Sequence, residues 1–207
     1  MPRSVDREAR RRDVADALFR IAARQGLGGV SMRTVAAEAG FSLGAVQRYF
    51  TTKEQMLRFA FDQAVAAARA RMARVPGGTG GDSVPELLRR ALLAFLPADE
   101  RGLAEARIWA AFYAEAVVRP SFAEALDEID AEARANLRAA FARGQEAGDF
   151  PRDRSPEELA ELVLVLLDGL WWNAVRRPAG VPPAAQRGIV DTAVALLTAS
   201  PRQTAPR

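Results

Sequence analysis

The chain contains no cysteine and no histidine. The first absence excludes a disulfide framework and thiolate chemistry. The second removes the commonest metal ligand and the usual general base at neutral pH. Catalysis would then fall to carboxylates, serine or lysine. Lys53 is the only lysine, and the acidic residues mostly occupy helix starts and exposed faces. The chain therefore does not read as an enzyme, and no cofactor or metal is expected. No stretch approaches the apolar length that spans a bilayer. The first residues, MPRSVDREARRR, are charged and lack the apolar core of a signal peptide, so the expected location is the cytoplasm, with no membrane partner.

What the chain does have is apolar residues at helical spacing. They make up 49% of 207 residues, enough to exclude a disordered protein and to build one extended or two small domains. No alternating strand-like run and no short repeat occurs, so the fold class is all-α. Charge is unevenly placed. Through Val75 there are 14 basic and 7 acidic residues, a net of +7; the remainder, with 15 and 19, carries −4. A basic head on an acidic body suits a protein that presents one end to phosphate.

Ser31 to Lys53, SMRTVAAEAGFSLGAVQRYFTTK, organises the rest. Ser31 is placed to cap a helix whose stripe is Met32, Val35, Ala36 and Ala39. Gly40 can end it in a left-handed conformation. Ser42 can cap a second helix, in which Val46 and Phe50 face inward. The opposite face then carries Gly44 and Arg48, flanked by Ala45 and Gln47. Gly44 and Ala45 permit close backbone approach, and Gln47 and Arg48 can reach base edges or phosphate oxygens. Tyr49 and Lys53 suit phosphate contacts. With Arg33, Thr34 and Ser42 these form the DNA-facing candidates. An ordinary antiparallel helix pair is the plainer reading of helix, glycine, helix. The small-then-polar outer face, the preceding amphipathic helix and the basic surroundings favour a helix-turn-helix, with its second helix as the reader.

Those residues also carry a resemblance. DVADALFRIAARQG followed by VSMRTVAAEAGFSLGAVQRYFTTKEQML resembles the DNA-binding domain of TetR/AcrR-type transcriptional regulators over roughly the first 60 residues. The chain departs from the family pattern at Gln47, where an aromatic residue is usual. LVLLDGLWWNAVRRP, further on, resembles the C-terminal domain of BetI-type members. The resemblance implies a three-helix head at residues 1–52 with a basic N-terminal arm, and a helical ligand-binding and dimerisation body at 53–207. It also implies a homodimer on an inverted-repeat operator in double-stranded DNA, acting as a repressor released by a small-molecule effector. A helical protein-binding adaptor with a basic head is the alternative.

In chain order, residues 2–12 read as a basic arm, with Arg10, Arg11 and Arg12 as phosphate-contact candidates. A helix to Gln25 follows, with Val14, Leu18, Ile21 and Ala22 buried. Thr52 with Gln55 reads as a capping box opening a long linking helix, whose tilt would carry ligand information to the head. PGGTGGD at 76–82 is a break. Ser83 with Glu86 reads as another capping box. Further helices are expected from about Glu100, Ser121, Ser155 and Pro183; the motif Ser155-Pro156-Glu157-Glu158 is the clearest start signal.

ELAELVLVLLDGLWWNAV is apolar around most of its circumference and must be covered on several sides. It is either the centre of a monomer core or half of a dimer interface. Leu162, Val163, Leu166, Leu170, Ile189, Val194 and Leu197 are the interface candidates. Asp168, a carboxylate within that helix, suits a structural role or a ligand contact. Aromatic residues at helical spacing are usually plain core. Because the family binds small inducers in its body, Phe61, Phe95, Trp109, Phe112, Tyr113, Trp171 and Trp172, with Glu105 for charge, are the pocket candidates.

Overall fold

The computed structural model describes residues 2–73, 82–177 and 181–199. Among these residues there are nine α-helices, one short 3-10 turn and no strand. The helices are α1 (Pro2–Gln25), α2 (Met32–Ala39), α3 (Leu43–Tyr49), α4 (Lys53–Ala73), α5 (Val84–Phe95), α6 (Glu100–Ala116), α7 (Pro120–Ala147), α8 (Pro156–Arg176) and α9 (Pro183–Thr198). The all-α expectation holds, and the glycine-rich stretch 76–81 lies outside the described residues.

The basic N-terminal arm is helical: α1 begins at Pro2 and residues 2–12 continue it without a break. Its charges are spaced for helix rather than coil. Arg11 pairs with Glu8 at 3.6 Å and Arg10 with Asp13 at 3.8 Å, both three residues apart on one face. Gly26, with φ 67°, breaks the helix where an L side chain would be strained.

Two packing units emerge. The first comprises residues 1–71 and 100–126, so α4, α6 and the start of α7 pack with the head. Its core joins Val14, Leu18 and Ile21 of α1 to Val35, Val46 and Phe50, and further to Met56 and Leu57 of α4, all buried. The second comprises residues 72–99 and 127–207. There Leu88, Leu92, Phe141, Phe150, Leu159, Val163, Val190 and Val194 share one apolar core. The packing boundary after Arg71 falls within α4, beyond the division at residues 52 and 53 expected from the sequence.

Start signals act locally, with one exception. Ser155 and Glu158 form the reciprocal capping box read from their spacing, and this holds the Glu158 carboxyl below its usual range. At α4 the box read at Thr52 and Gln55 forms only in part: the Gln55 N–H donates to Thr52 Oγ1, but the Gln55 side chain accepts from the N–H of Thr51, one residue earlier. The capping box at Ser83 does not form. The Ser83 side chain makes no cap bond; the Val84 N–H donates instead to Asp149 Oδ2 at 2.9 Å, and Glu86 faces Arg89 and Arg90.

Candidate nucleic-acid interface

The turn between α2 and α3 is built by backbone chemistry. Ser31 caps α2 in a reciprocal arrangement with Thr34: the Thr34 N–H donates to Ser31 Oγ at 3.1 Å, and the Ser31 N–H donates to Thr34 Oγ1 at 2.8 Å. At the other end Gly40 is left-handed (φ 69°, ψ 26°). Its N–H reaches the Ala37 carbonyl, and the Phe41 N–H reaches that of Ala36 at 2.9 Å, a Schellman closure. Ser42 then accepts from the Ala45 N–H at 3.1 Å and starts α3. Glycine is needed at residue 40 because a Cβ would be strained at that φ.

Val46 and Phe50 fix which way α3 faces, being 0% and 1% exposed. The opposite face presents Gly44, Gln47 and Arg48 to solvent, with Ala45 and Tyr49 half-buried beside them. Arg33 is exposed on α2, Ser42 is exposed ahead of α3, and Lys53 is half-buried in the first turn of α4. Among the described residues no side-chain hydrogen bond or ion pair engages Arg33, Gln47, Arg48 or Lys53. Thr34 differs from this group: its hydroxyl donates back to the Gly29 carbonyl at 3.0 Å and serves the cap of α2.

Three contacts that sequence reasoning missed hold this head in shape. Arg20 and Arg24 of α1 both bind Glu38 of α2, at 2.8 and 2.7 Å, and the two guanidiniums, Arg24 foremost, hold its carboxyl below the usual range. The Arg11 guanidinium lies over the rings of Phe59, at 4.1 Å, and Phe50, at 5.2 Å. Arg10 lies over Phe41 at 5.5 Å. Arg12 is exposed. The rings under Arg10 and Arg11 lie 31 or more residues away in sequence, so the run of arginines alone does not show them.

The aromatic candidates fall in two places. In the first unit Phe61 meets Trp109, Phe112 and Phe122 edge-on, with centroids 5.8, 5.1 and 5.7 Å away. Phe61 and Phe112 are buried, Trp109 and Tyr113 half-buried, and Glu105 is bound by Arg71. In the second unit Phe95 and Trp172 are exposed, and Trp171 packs edge-on against Trp172 at 5.3 Å. Of the interface candidates, Val163, Leu170, Val194 and Leu197 are buried within this chain and Leu166 is half-buried. Leu162 and Ile189 are exposed, joined by Val165 and Leu196, which the sequence reading did not single out.

A capped helix, a left-handed glycine and a short second helix with a small and polar outer face define a helix-turn-helix DNA-binding domain. Residues 14–59 match the bacterial regulatory proteins of the tetR family, and residues 85–199 match the C-terminal domain of BetI-type transcriptional repressors. The HTH-type transcriptional regulator PksA of Bacillus subtilis is 30% identical over 183 residues, 87% of this chain and 86% of that protein. A transcriptional regulator from Rhodococcus sp. Rha1 superposes with a TM-score of 0.80 at 34% identity, covering 92% of this chain and 99% of that one. A regulator from Saccharomonospora viridis, solved in complex with choline, superposes at 0.79 with 23% identity, covering 88% and 93%. The chain belongs to the TetR family of transcriptional regulators, which decides between the regulator and the adaptor left open by the sequence. No helix of the described residues is long and apolar enough to cross a membrane.

Proposed function

We propose that the protein is a cytoplasmic repressor that binds an inverted-repeat operator as a homodimer and leaves it when a small molecule binds the body. The observation that carries this reading is the outer face of α3. Gln47 and Arg48 stand exposed there beside Gly44, on a helix anchored from behind by Val46 and Phe50. Small residues let the backbone approach the groove, and the two polar side chains suit bidentate contact with a base edge.

Dimerisation is supported by the outward faces of α8 and α9. Leu162, Val165 and Trp172 share one face of α8, at 52%, 62% and 44% exposure, around Gly169. Ile189 and Leu196 stand two turns apart on α9, at 39% and 67%. A second copy covering these stripes would remove apolar surface from water and give the twofold symmetry of an inverted repeat. Each reader helix would then meet one half-site, about 34–36 Å from the other.

Effector release is supported by the position of the aromatic cluster. Phe61 is on α4, the helix that begins three residues after α3's C-cap at Phe50, and its ring partners come from α6 and the start of α7. A ligand preferring another packing of these rings would shift α4 and, with it, the reader. It would weaken operator binding only by its differential affinity for the two arrangements. Trp109, Phe112, Tyr113 and Phe61 are the proposed ligand contacts, all within this unit.

The test is selection from a random duplex library with the full-length protein, followed by binding to the enriched duplex across a salt series. An enriched inverted repeat with a steep salt slope supports the reading. Binding that ignores sequence overturns it. Small molecules, choline among them, are then screened for release of the same duplex.

A further inference from the structure

We infer that Arg10 and Arg11 are positioning residues that clamp the two ends of the reader helix onto α1, and that they set its angle without touching DNA. This rests on the DNA-reading role proposed for α3. Phe41 immediately precedes Ser42, the N-cap of α3, and Phe50 is its C-cap. Arg10 covers the ring of Phe41 and Arg11 covers that of Phe50, so two adjacent residues of one helix grip both ends of another. Phe59 of α4 adds a second ring under Arg11, 5.5 Å from that of Phe50, and brings the start of the linking helix into the same contact.

The environment of Arg11 is that of a packed group. Its side chain is 33% exposed, and its Nε is buried without a hydrogen-bond partner. A guanidinium in that position faces a desolvation cost that the ion pair to Glu8, at 3.6 Å, only partly offsets. Flat cation against ring face supplies the rest, and this contact strengthens as water is excluded. Phe50 and Phe59 are themselves buried, 1% and 9% exposed, so the rings cannot swing away from the cation without opening the core. Phosphate contacts differ in kind, because they tolerate a mobile side chain and release counterions.

The decisive measurement uses full-length protein with two probes: the duplex enriched by selection and a scrambled duplex of the same composition. Affinities for both are taken across a salt series for wild type, Arg11→Met, Arg11→Lys and Phe59→Leu. Arg11→Met keeps an unbranched apolar stem and removes the planar cation. It is expected to lower the ratio of selected to scrambled affinity about tenfold, leaving the salt slope on scrambled DNA unchanged. Phe59→Leu, which changes no charge, is expected to lower the same ratio. Arg11→Lys keeps a cation and is expected to fall between Arg11→Met and wild type.

Equal losses on both duplexes, with a salt slope reduced by about 0.9, would make Arg11 a phosphate contact and overturn the clamp. A lowered melting temperature with an unchanged affinity ratio would make the contact merely structural, which also overturns it. Should Arg11→Met not fold, the ratio for Arg11→Lys decides alone, and wild-type discrimination there refutes the proposal. Arg48→Ala is measured alongside. If wild type does not discriminate, or if Arg48→Ala retains full discrimination, the reading role of α3 has failed, and that signature is distinct from failure of the clamp.

Discussion

Arg71 places Nη1 2.7 Å from each carboxylate oxygen of Glu105, joining α4 to α6 within the first packing unit. Glu105, expected from the sequence as a charge for a pocket, thus already holds a cation of its own chain. The pair is partly covered, at 37% and 29% exposure, and Arg71 Nε is buried without a partner. Glu105→Gln is expected to lower unfolding stability by about 1–2 kcal/mol, since a covered guanidinium loses its counterion. Urea titration of Glu105→Gln, Arg71→Met and the double variant checks this. The double variant should lose less than the sum of the two singles.

The reader helix yields a second expectation. Gln47→Ala and Arg48→Ala should each cost about 1–3 kcal/mol on the selected duplex and little on a scrambled one. Lys53→Ala should weaken both duplexes alike and reduce the salt slope by about 0.9. Competition binding at several salt concentrations separates the two behaviours. Equal losses on both duplexes for Gln47 and Arg48 would remove them from the reading surface.

Acid should affect α8 through Asp168. Partial desolvation holds its carboxyl above the usual range, and the charges of Asp130 and Glu161 push it the same way. Arg134, whose charge acts on Asp130, is hydrogen-bonded to Glu161 at 2.9 Å. A raised carboxyl pKa means the fold binds the proton more tightly than the unfolded chain does. Stability from this group is therefore present at low pH and is lost as pH rises through the folded pKa. Asp168→Asn should raise the melting temperature at about pH 7, and the gain should vanish as pH falls below the unfolded value of about 3.9. Thermal melts of the variant and wild type over that range test the sign.

Gln186 anchors the start of α9. It is 3% exposed, and its Nε2 donates to the carbonyls of Pro97 and Val181, both at 2.9 Å. Gln186→Ala removes the donor and leaves two buried acceptors, at an expected cost of about 2 kcal/mol. Chemical denaturation measures it. Gln186→Leu, which refills the volume, should recover only part of the loss.

The sequence disclosed what depends on near neighbours. Ser31, Gly40, Ser42 and Ser155 act within a few residues of themselves, and their spacing revealed the caps and the turn. The direction of α3 followed from Val46 and Phe50 alone. Distant partners stayed hidden. Ser83 had a suitable Glu three residues on, yet Asp149, 65 residues from Val84 in the chain, supplies the acceptor for the Val84 N–H. Arg10 and Arg11 read as an arm for phosphate because nothing local shows that Phe41, Phe50 and Phe59 lie beneath them. In α8 the apolar circumference was evident, but which side faces inward was not. Val163 and Leu170 went to the core while Leu162 and Val165 did not.

The helix that carries Gln47 and Arg48 spans seven residues, from Leu43 to Tyr49. A segment of two turns does not persist as a helix in water, so its axis is borrowed from the packing behind it. All of its outward side chains therefore move together whenever that packing changes. On the proposed reading role, repacking Val46 or Val35 would turn the outward face of α3 and present a different set of atoms to the groove. If α3 reads DNA as proposed, a change of operator preference has a route through buried positions, with Gln47 and Arg48 themselves unchanged.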